Sequence, residues 1–376
     1  MNVTRHARCQ AAISGNPVDH PPRYVCGIAC EVSSRILGRK AHTGTGSLHY
    51  AEADAWCKGD AAHAEFEQKL HQDLADVFRA LDVDVFRMPW RMRERPARRL
   101  DQWTFLYGDP DGRHSVYRYS PESGDFGSIS SEVDAPVDAE AFEADVRGRE
   151  LQEEKSSPQP ALPREHIEMH RRYGREFFLV CNGGDVSVGL GELRMTLLAL
   201  APDAMRRDLM LQARAAERLG RALGASGCPR VLLSGGDLAG NTGPMYSPAA
   251  FREVTLPAYR WLMERLSPLG VHVFFRSDGD IRPVADMIFR EAGVPGFGEV
   301  DREAGMTIAR LRERFGRLVI WGNVPSRLLA CGKPEHVRDE SRRIVDESGG
   351  TGYFHGCSNA ILQGTPLENV EAMFSK

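Results

Sequence analysis

The sequence predicts an α/β fold, a (β/α)8 TIM barrel with an N-terminal helical extension and an inserted β-hairpin region after the second strand. Three observations predict it. Eight short apolar, β-branched or aromatic runs, bounded by turn residues, recur along the 376 residues. Helical patterns lie between them, and strand–helix alternation argues for a parallel sheet. No Gly-x-Gly-x-x-Gly turn follows the first run, so the rival, an open doubly wound sheet, lacks its usual mark.

In chain order the runs are 23–27 (RYVCG), 83–88 (VDVFRM), 177–182 (FFLVCN), 230–234 (RVLLS), 271–276 (VHVFFR), 295–300 (PGFGEV), 317–322 (RLVIWG) and 351–356 (TGYFHG). Such continuous runs suit strands buried on both faces, where no polar side has to alternate with an apolar one. The stretch 202–223 is dense in Ala, Leu, Met and Arg, all good helix formers. Ser247-Pro248 reads as an N-cap followed by Pro at the first helical position, opening a helix to about Leu266. Lys333-Pro334-Glu335 opens another, to about Glu347. The stretch 101–137 breaks the rhythm. GDPDG at 108–112 separates two β-rich segments, and Asp-Gly in that place signals a hairpin. Residues 1–376 read as one domain. Its insertion, about 95–165, is expected to act as a lid or an oligomer contact, which makes a homodimer an expectation. Within it, 150–164 carries three prolines and mixed charges and reads as an exposed connection.

Composition narrows the function. Hydrophobic residues make up 42% and charged residues 27%, enough apolar material for a core. The net charge of −4 gives no electrostatic reason to expect a nucleic-acid partner. The longest apolar stretches, such as 197–202, fall far short of a membrane span, and the polar start MNVTRHARCQ shows no secretory signal. A cytoplasmic location is the expectation. There the eight cysteines read as free thiols, ligands or nucleophiles rather than a disulfide framework. Cys26 and Cys30 are spaced for one helical face.

In a barrel of this kind chemistry sits at the C-terminal ends of the strands. Trp90 and Arg91 follow the second run, Asn182 and Asp185 the third, and Asp237 the fourth. Asp278 and Asp280 follow the fifth, Glu299 lies near the end of the sixth, Asn323 follows the seventh, and His355, Cys357 and Asn359 close the eighth. Asp237, Asp278, Glu299 and His355 are the candidate catalytic groups. Trp90, Arg91, Asn182, Arg276 and Asn323 are the candidate substrate contacts. Three acids in one cavity need a cation, a basic partner such as Arg276, or a proton on at least one of them. Each acid alone also fits a turn or helix N-cap. His355 and Cys357, two apart, share a face if the strand extends that far and would make two zinc ligands, where three or four are needed. A packing histidine and a buried inert thiol are the plainer readings. His272 is expected to be structural. Arg276 and Arg282 either clamp an anion or neutralise neighbouring acids.

Several segments together resemble the uroporphyrinogen decarboxylase superfamily. SGGDLAGNTGPMYSP at 234–248 is similar to its G-D-D-x-G…S-P segment, and RSDGDI at 276–281 to its H-S-D/C-G-x-I segment. Glu299, 318–323, GKPE at 332–335, TPLEN at 365–369 and GNPVDHPP at 15–22 fall in the family's order. The match covers nearly the whole chain and is thinnest from about 30 to 165. One branch of that superfamily, the true decarboxylases, uses no cofactor and carries an R-Q-A-G-R motif. Here the corresponding 24–30 reads YVCGIAC. The other branch moves methyl groups to or from a corrinoid protein, with zinc held by H-x-C on the fifth strand and a cysteine after the eighth. Cys357 matches the last, whereas Arg276 and Asp278 replace the first two.

The resemblance therefore implies a variant of the second branch: a corrinoid-dependent methyltransferase. It would move a methyl group between a small methoxylated or methylamine-type substrate and cobalamin, free or on a partner corrinoid protein. Zinc is an expected further cofactor, held by Cys357 with Asp237, Glu299 or His355. Otherwise Asp278 or Asp237 protonates the leaving group without metal. The alternatives are a cofactor-independent decarboxylase or lyase, and a non-catalytic barrel that binds a corrinoid protein.

Overall fold

The computed structural model describes residues 3–112, 114–131, 137–156 and 158–375. The fold is mixed α/β. Each predicted run contains a strand or a bridged residue, and helices fill the intervals. The strands are β1 (Gly27–Ile28), β2 (Val85–Phe86), β3 (Arg98–Arg99), β4 (Thr104–Gly108), β5 (His114–Ser120), β6 (Asp125–Ser131), β7 (Phe178–Leu179), β8 (Val231–Gly235), β9 (Ala239–Gly240), β10 (Gly243–Pro244), β11 (His272–Arg276), β12 (Gly296–Gly298), β13 (Val319–Trp321), β14 (Tyr353–Phe354) and β15 (Ala360–Ile361).

A five-stranded parallel sheet runs β14-β13-β12-β11-β8, beside the parallel pairs β2-β7 and β1-β15. Single contacts link these ladders. Cys181 bridges Leu232, Arg23 bridges His355, and the Asp84 N–H donates to the Arg23 carbonyl at 2.9 Å. The paired strands are short and the ladders do not run on as one continuous closed cylinder, so the regular barrel expected from the sequence is seen only in part. Ladders stop where glycines turn the chain. Gly235 has φ +102°, and a Cβ there would lie 2.4 Å from the Arg276 carbonyl oxygen, so only glycine lets β8 turn against β11.

Alternate residues of the parallel strands meet inside. Tyr24, Val85, Phe178, Val180, Val231, Leu233, Phe274, Val319, Trp321 and Phe354 form one buried cluster. Trp321 is its centre, with ring centroids 4.2 Å from Phe274 and 4.9 Å from both Tyr24 and Phe354. The intervening residues, among them Phe86, Leu179, Leu232, Phe275 and Ile320, join the larger core under the helices. Both strand faces are thus dry, which is why the runs read as continuously apolar.

A helix, Arg5–Ile13, precedes the first strand. Helix Pro202–Ala225 begins at its proline. Ser247 caps the next helix, its Oγ accepting from the Ala250 N–H at 3.1 Å. The single helix expected to Leu266 is interrupted by a π turn, Phe251–Thr255. Pro257 has no N–H with which to continue the regular ladder. The stretch after β2 folds as a four-stranded antiparallel sheet, β3-β4-β5-β6, packed by Phe105, Tyr107 and Phe126 against Ala53. Residues 132–136 of the expected insertion lie outside the described residues. The expected exposed connection at 150–164 is in fact helical through Ser156. Ion pairs of Glu150 with Arg207 and Glu153 with Arg218 dock that helix on Pro202–Ala225. Cys26 and Cys30 share no helix: Cys26 precedes β1, and Cys30 opens the helix Cys30–Leu37. All eight cysteines are free. Among the described residues, no helix is long and apolar enough to cross a membrane.

Candidate functional site

The residues that leave the parallel strands at their C-terminal ends assemble around Glu299. It follows β12 with φ +61°, a left-handed conformation that costs a non-glycine residue about 1 kcal/mol or more. That turn brings Glu299 Oε1 within 3.0 Å of Arg87 Nη1 and 3.2 Å of Arg276 Nη1. The Cys26 thiol donates to the same oxygen at 3.0 Å and accepts from Arg87 Nη1 at 2.7 Å. Arg276 also donates to Asp185 Oδ1 at 2.8 Å.

The electrostatics follow from this packing. Burial acts to raise the pKa of Glu299, but Arg87 and Arg276 outweigh it and hold the carboxyl down at about 2. It is a permanent anion and no proton donor. Burial, opposed by Arg87 and reinforced by Glu299, pushes the Cys26 thiol up to about 12, so it stays neutral.

Asp278 behaves in the opposite way. Burial first, then the charges of Glu299, Asp237 and Asp301, lift its carboxyl to about 7. Asn359 Nδ2 donates to Asp278 Oδ2 at 2.6 Å and opposes that rise. Asp237 sits on the exposed lip; its surroundings and Glu299 shift it upward too, against Arg276. Asp278 is therefore placed to carry a proton beside a Glu299 that stays ionised.

On the other side of Arg276 lies a cleft of about 300 Å³, lined among others by Arg87, Trp90, Arg91, Asn182, Asp185 and Arg276. Asn182 Nδ2 donates to the Met88 carbonyl at 2.8 Å, tying the ends of β2 and β7 together. Arg91 is 3% exposed and pairs with Glu52 at 2.5 Å, Glu165 at 2.7 Å and Glu67 at 2.8 Å. It anchors the loop that carries Trp90, which is 71% exposed. Trp90, Leu190, Met245 and Leu362, all on segments that follow strands, are exposed large apolar side chains.

Two candidate residues stand apart from this site. Asn323 is fully buried and donates to the carbonyls of Val300 and Met306 at 3.2 and 3.0 Å, so it braces the loop after β12 instead of meeting substrate. The eighth strand ends at Phe354, before His355. His355 binds the Tyr353 hydroxyl at 2.9 Å and the Met373 carbonyl at 2.8 Å, a packing histidine that burial holds neutral, at about 4. His272 is likewise held at about 4 by burial, and Arg282 pairs with Asp280 at 2.6 Å. Arg87 and Cys26 belong to this cluster though sequence reasoning left them out of the site; Asn359 was placed at its rim but given no role.

The zinc set does not fit. Cys357 is wholly buried, its thiol donating to the Asn359 carbonyl at 2.8 Å, and burial pushes its pKa far up. Glu299 is bonded through Oε1 to two guanidiniums and to the Cys26 thiol, and Asp237 stands at the lip. Among the described residues no three His, Cys, Asp or Glu side chains gather as a metal would require. The expected cluster of Cys357 with Glu299, Asp237 or His355 is therefore corrected: cations, Arg87 and Arg276, already occupy the anion's neighbourhood.

Residues 188–376 match the family model described as uroporphyrinogen decarboxylase (URO-D). Two curated relatives, uroporphyrinogen decarboxylases from two strains of Thermus thermophilus, are each 32% identical over 125 residues. That is 33% of this chain, and the chain spans about a third, 35%, of the length of those relatives. A solved structure, a methyltransferase from Methanosarcina mazei, aligns with a TM-score of 0.61 at 16% identity, over 99% of this chain and 97% of that chain. That likeness shows the fold.

Proposed function

Because the chain belongs to the uroporphyrinogen decarboxylase family, we propose that it catalyses methyl transfer between a small methylated substrate and a corrinoid, with Asp278 as the proton donor. The observation that carries this reading is the Asp278 carboxyl, lifted to about 7 and held by Asn359 beside the fixed Glu299 anion. A methoxy or amine leaving group needs a proton as the carbon–heteroatom bond breaks. A general acid serves best with a pKa near the working pH. Asp278 supplies its proton to the departing oxygen or nitrogen and becomes a carboxylate; bulk solvent restores the proton through the exposed lip at Asp237.

The corrinoid, when bound, supplies the nucleophile that takes the methyl group. The exposed apolar residues Trp90, Leu190, Met245 and Leu362 suit a large flat partner delivered by a corrinoid protein. The eight parallel segments are read as the wall of a (β/α)8 barrel whose mouth these loops surround, and the chain as a cytoplasmic enzyme. The alignment to a methyltransferase along nearly the whole chain supports the reading. No step is assigned to zinc.

A second reading, decarboxylation of an organic acid, is favoured by the arginines of the cleft and by the partial identity to decarboxylases. One experiment separates the two. The protein is mixed with cob(I)alamin and a panel of methoxylated arenes, methylamines and methanol, and the cob(I)alamin absorbance is followed. At least one donor is expected to consume it, with Asp278→Asn slowing the reaction about 100-fold or more. If no donor does, while an organic acid releases CO2 without corrinoid, the decarboxylase reading replaces this one. If neither reaction occurs but a corrinoid protein binds, the chain is a non-catalytic docking barrel.

A further inference from the structure

A second groove, of about 400 Å³, is lined by the helix Ile308–Phe315 and by residues of 282–285 and 305–306, and it shares no residue with the cleft or the Glu299 cluster. Its floor is apolar: Met306 and Leu311 are buried and Phe315 is half-buried. The guanidiniums of Arg290 and Arg314, 5.3 and 5.4 Å from the Phe315 ring centroid, hold that ring in place. At the other end of the helix two arginines converge. Gly305 has φ +83°, and a Cβ there would lie 3.5 Å from Arg310 Nη1 and 3.9 Å from Arg282 Nη1, so both guanidiniums reach the same point above a bare backbone. Asp280 neutralises Arg282, and Asp286 neutralises Arg314. Arg310 donates to the Gly305 carbonyl at 3.2 Å, and no carboxylate pairs with it among the described residues. A cation without a partner beside another guanidinium, over an apolar floor, attracts an anion.

We propose that this groove binds a small amphiphilic oxyanion, a carboxylate or phosphate on an apolar chain, with its head between Arg282 and Arg310 and its chain along Met306, Leu311 and Phe315. Ligand sites share this plan, apolar walls with a few placed polar groups. The helix beside the chain has eight residues and is about 12 Å long, which sets the reach of the ligand. Each guanidinium offers planar N–H donors to an oxyanion and gains nothing comparable from a neutral amide. The groove lies outside the mouth, so its ligand is independent of the methyl-transfer reading.

Calorimetry at pH 7.5 tests this with octanoate, octyl phosphate and octanamide, kept below the concentrations at which they aggregate, and with acetate and inorganic phosphate as heads without chains. The better of the two chain anions is expected to bind about tenfold or more tightly than octanamide, one charge-assisted contact's worth, and more tightly than either bare head. Octanoate against octyl phosphate tells which head is preferred. Arg310 is exposed, so Arg310→Gln should keep the fold and lose the preference for the anion. Methionine methyl 13C resonances locate the ligand: that of Met306, assigned with Met306→Leu, should move on binding, and that of Met88, in the mouth cleft, should not. Equal affinity for octanamide and the anions, binding of neither anion, an undiminished preference in Arg310→Gln, or a shift of Met88 in place of Met306 overturns the inference. Failure of every methyl donor with cob(I)alamin leaves it standing and removes the proposed reaction instead.

Discussion

Glu299→Gln is the sharpest perturbation of the site. The side chain keeps its shape and its left-handed backbone, but the charge between two guanidiniums disappears. Arg276 keeps Asp185 as a partner, whereas Glu299 is the one carboxylate bonded to Arg87 among the described residues. Arg87 and Glu299 side chains are 7% and 10% exposed, so solvent replaces little of the loss. Breaking one side of a buried ion pair costs about 3–5 kcal/mol. The lower end applies here, because an amide oxygen still accepts one N–H and Arg276 keeps its second anion. Urea unfolding at pH 7.5 should show a loss of about 3 kcal/mol. The pH dependence has a definite sign. Glu299 is held down at about 2, so its contribution is fully present above the ordinary carboxylate value and is lost as pH falls through about 2. Glu299 itself stays ionised from pH 8 to 5, so the gap between wild type and variant should change there only through Asp278, narrowing as pH rises because the variant ionises Asp278 at less cost. Removing the Glu299 charge should also let the Asp278 pKa fall, since that charge ranks next after burial in raising it. A loss below about 1 kcal/mol would mean that the arginines are solvated and that the charge cluster is not a buried one.

Asp278 carries the opposite linkage. Its folded pKa is raised, so ionising it costs stability as pH climbs from the unfolded carboxylate range through about 7. Asp278→Asn should therefore be more stable than wild type at pH 8, by roughly 1–2 kcal/mol after solvent screening, with a gap that narrows as pH is lowered toward 4 in urea titrations. Asn323→Ala should cost about 2–3 kcal/mol in urea unfolding, because two buried carbonyls lose their donor, and should leave the proposed consumption of cob(I)alamin unchanged. His355→Ala should likewise lower the urea midpoint without changing that rate. A histidine held at about 4 destabilises the fold as pH drops below its ordinary range, so the wild type's acid-side loss between about 6.5 and 4 should shrink in this variant.

The strands were readable because both of their faces are buried. Runs such as 231–235 and 272–276 needed no alternation and stood out between helical stretches. What the sequence hid is set by long-range contacts. Arg87 lies inside an apolar run and looks like part of a strand; only the turn at Glu299, 212 residues away, reveals its partner. An arginine in an otherwise dry strand is nevertheless a signal, since such a charge must be paired. Asn323 and the site reading of His355 show the reverse, and the packing reading of His355 is the one its contacts fit. Each follows a strand, as a site residue would, but loop carbonyls and the C-terminal helix claim their side chains. The break in the helix after Ser247 turned on one residue, Pro257, overlooked within a good helical pattern.

Direct titration of Asp278 decides whether this mouth holds a proton donor at neutral pH. Selective 13C labelling of aspartate carboxyls, with Asp278→Asn to assign the resonance, reads that group alone and requires no substrate. A midpoint near 7, falling in Glu299→Gln, is the predicted result. A midpoint near 4, unmoved by Glu299→Gln, would contradict the account.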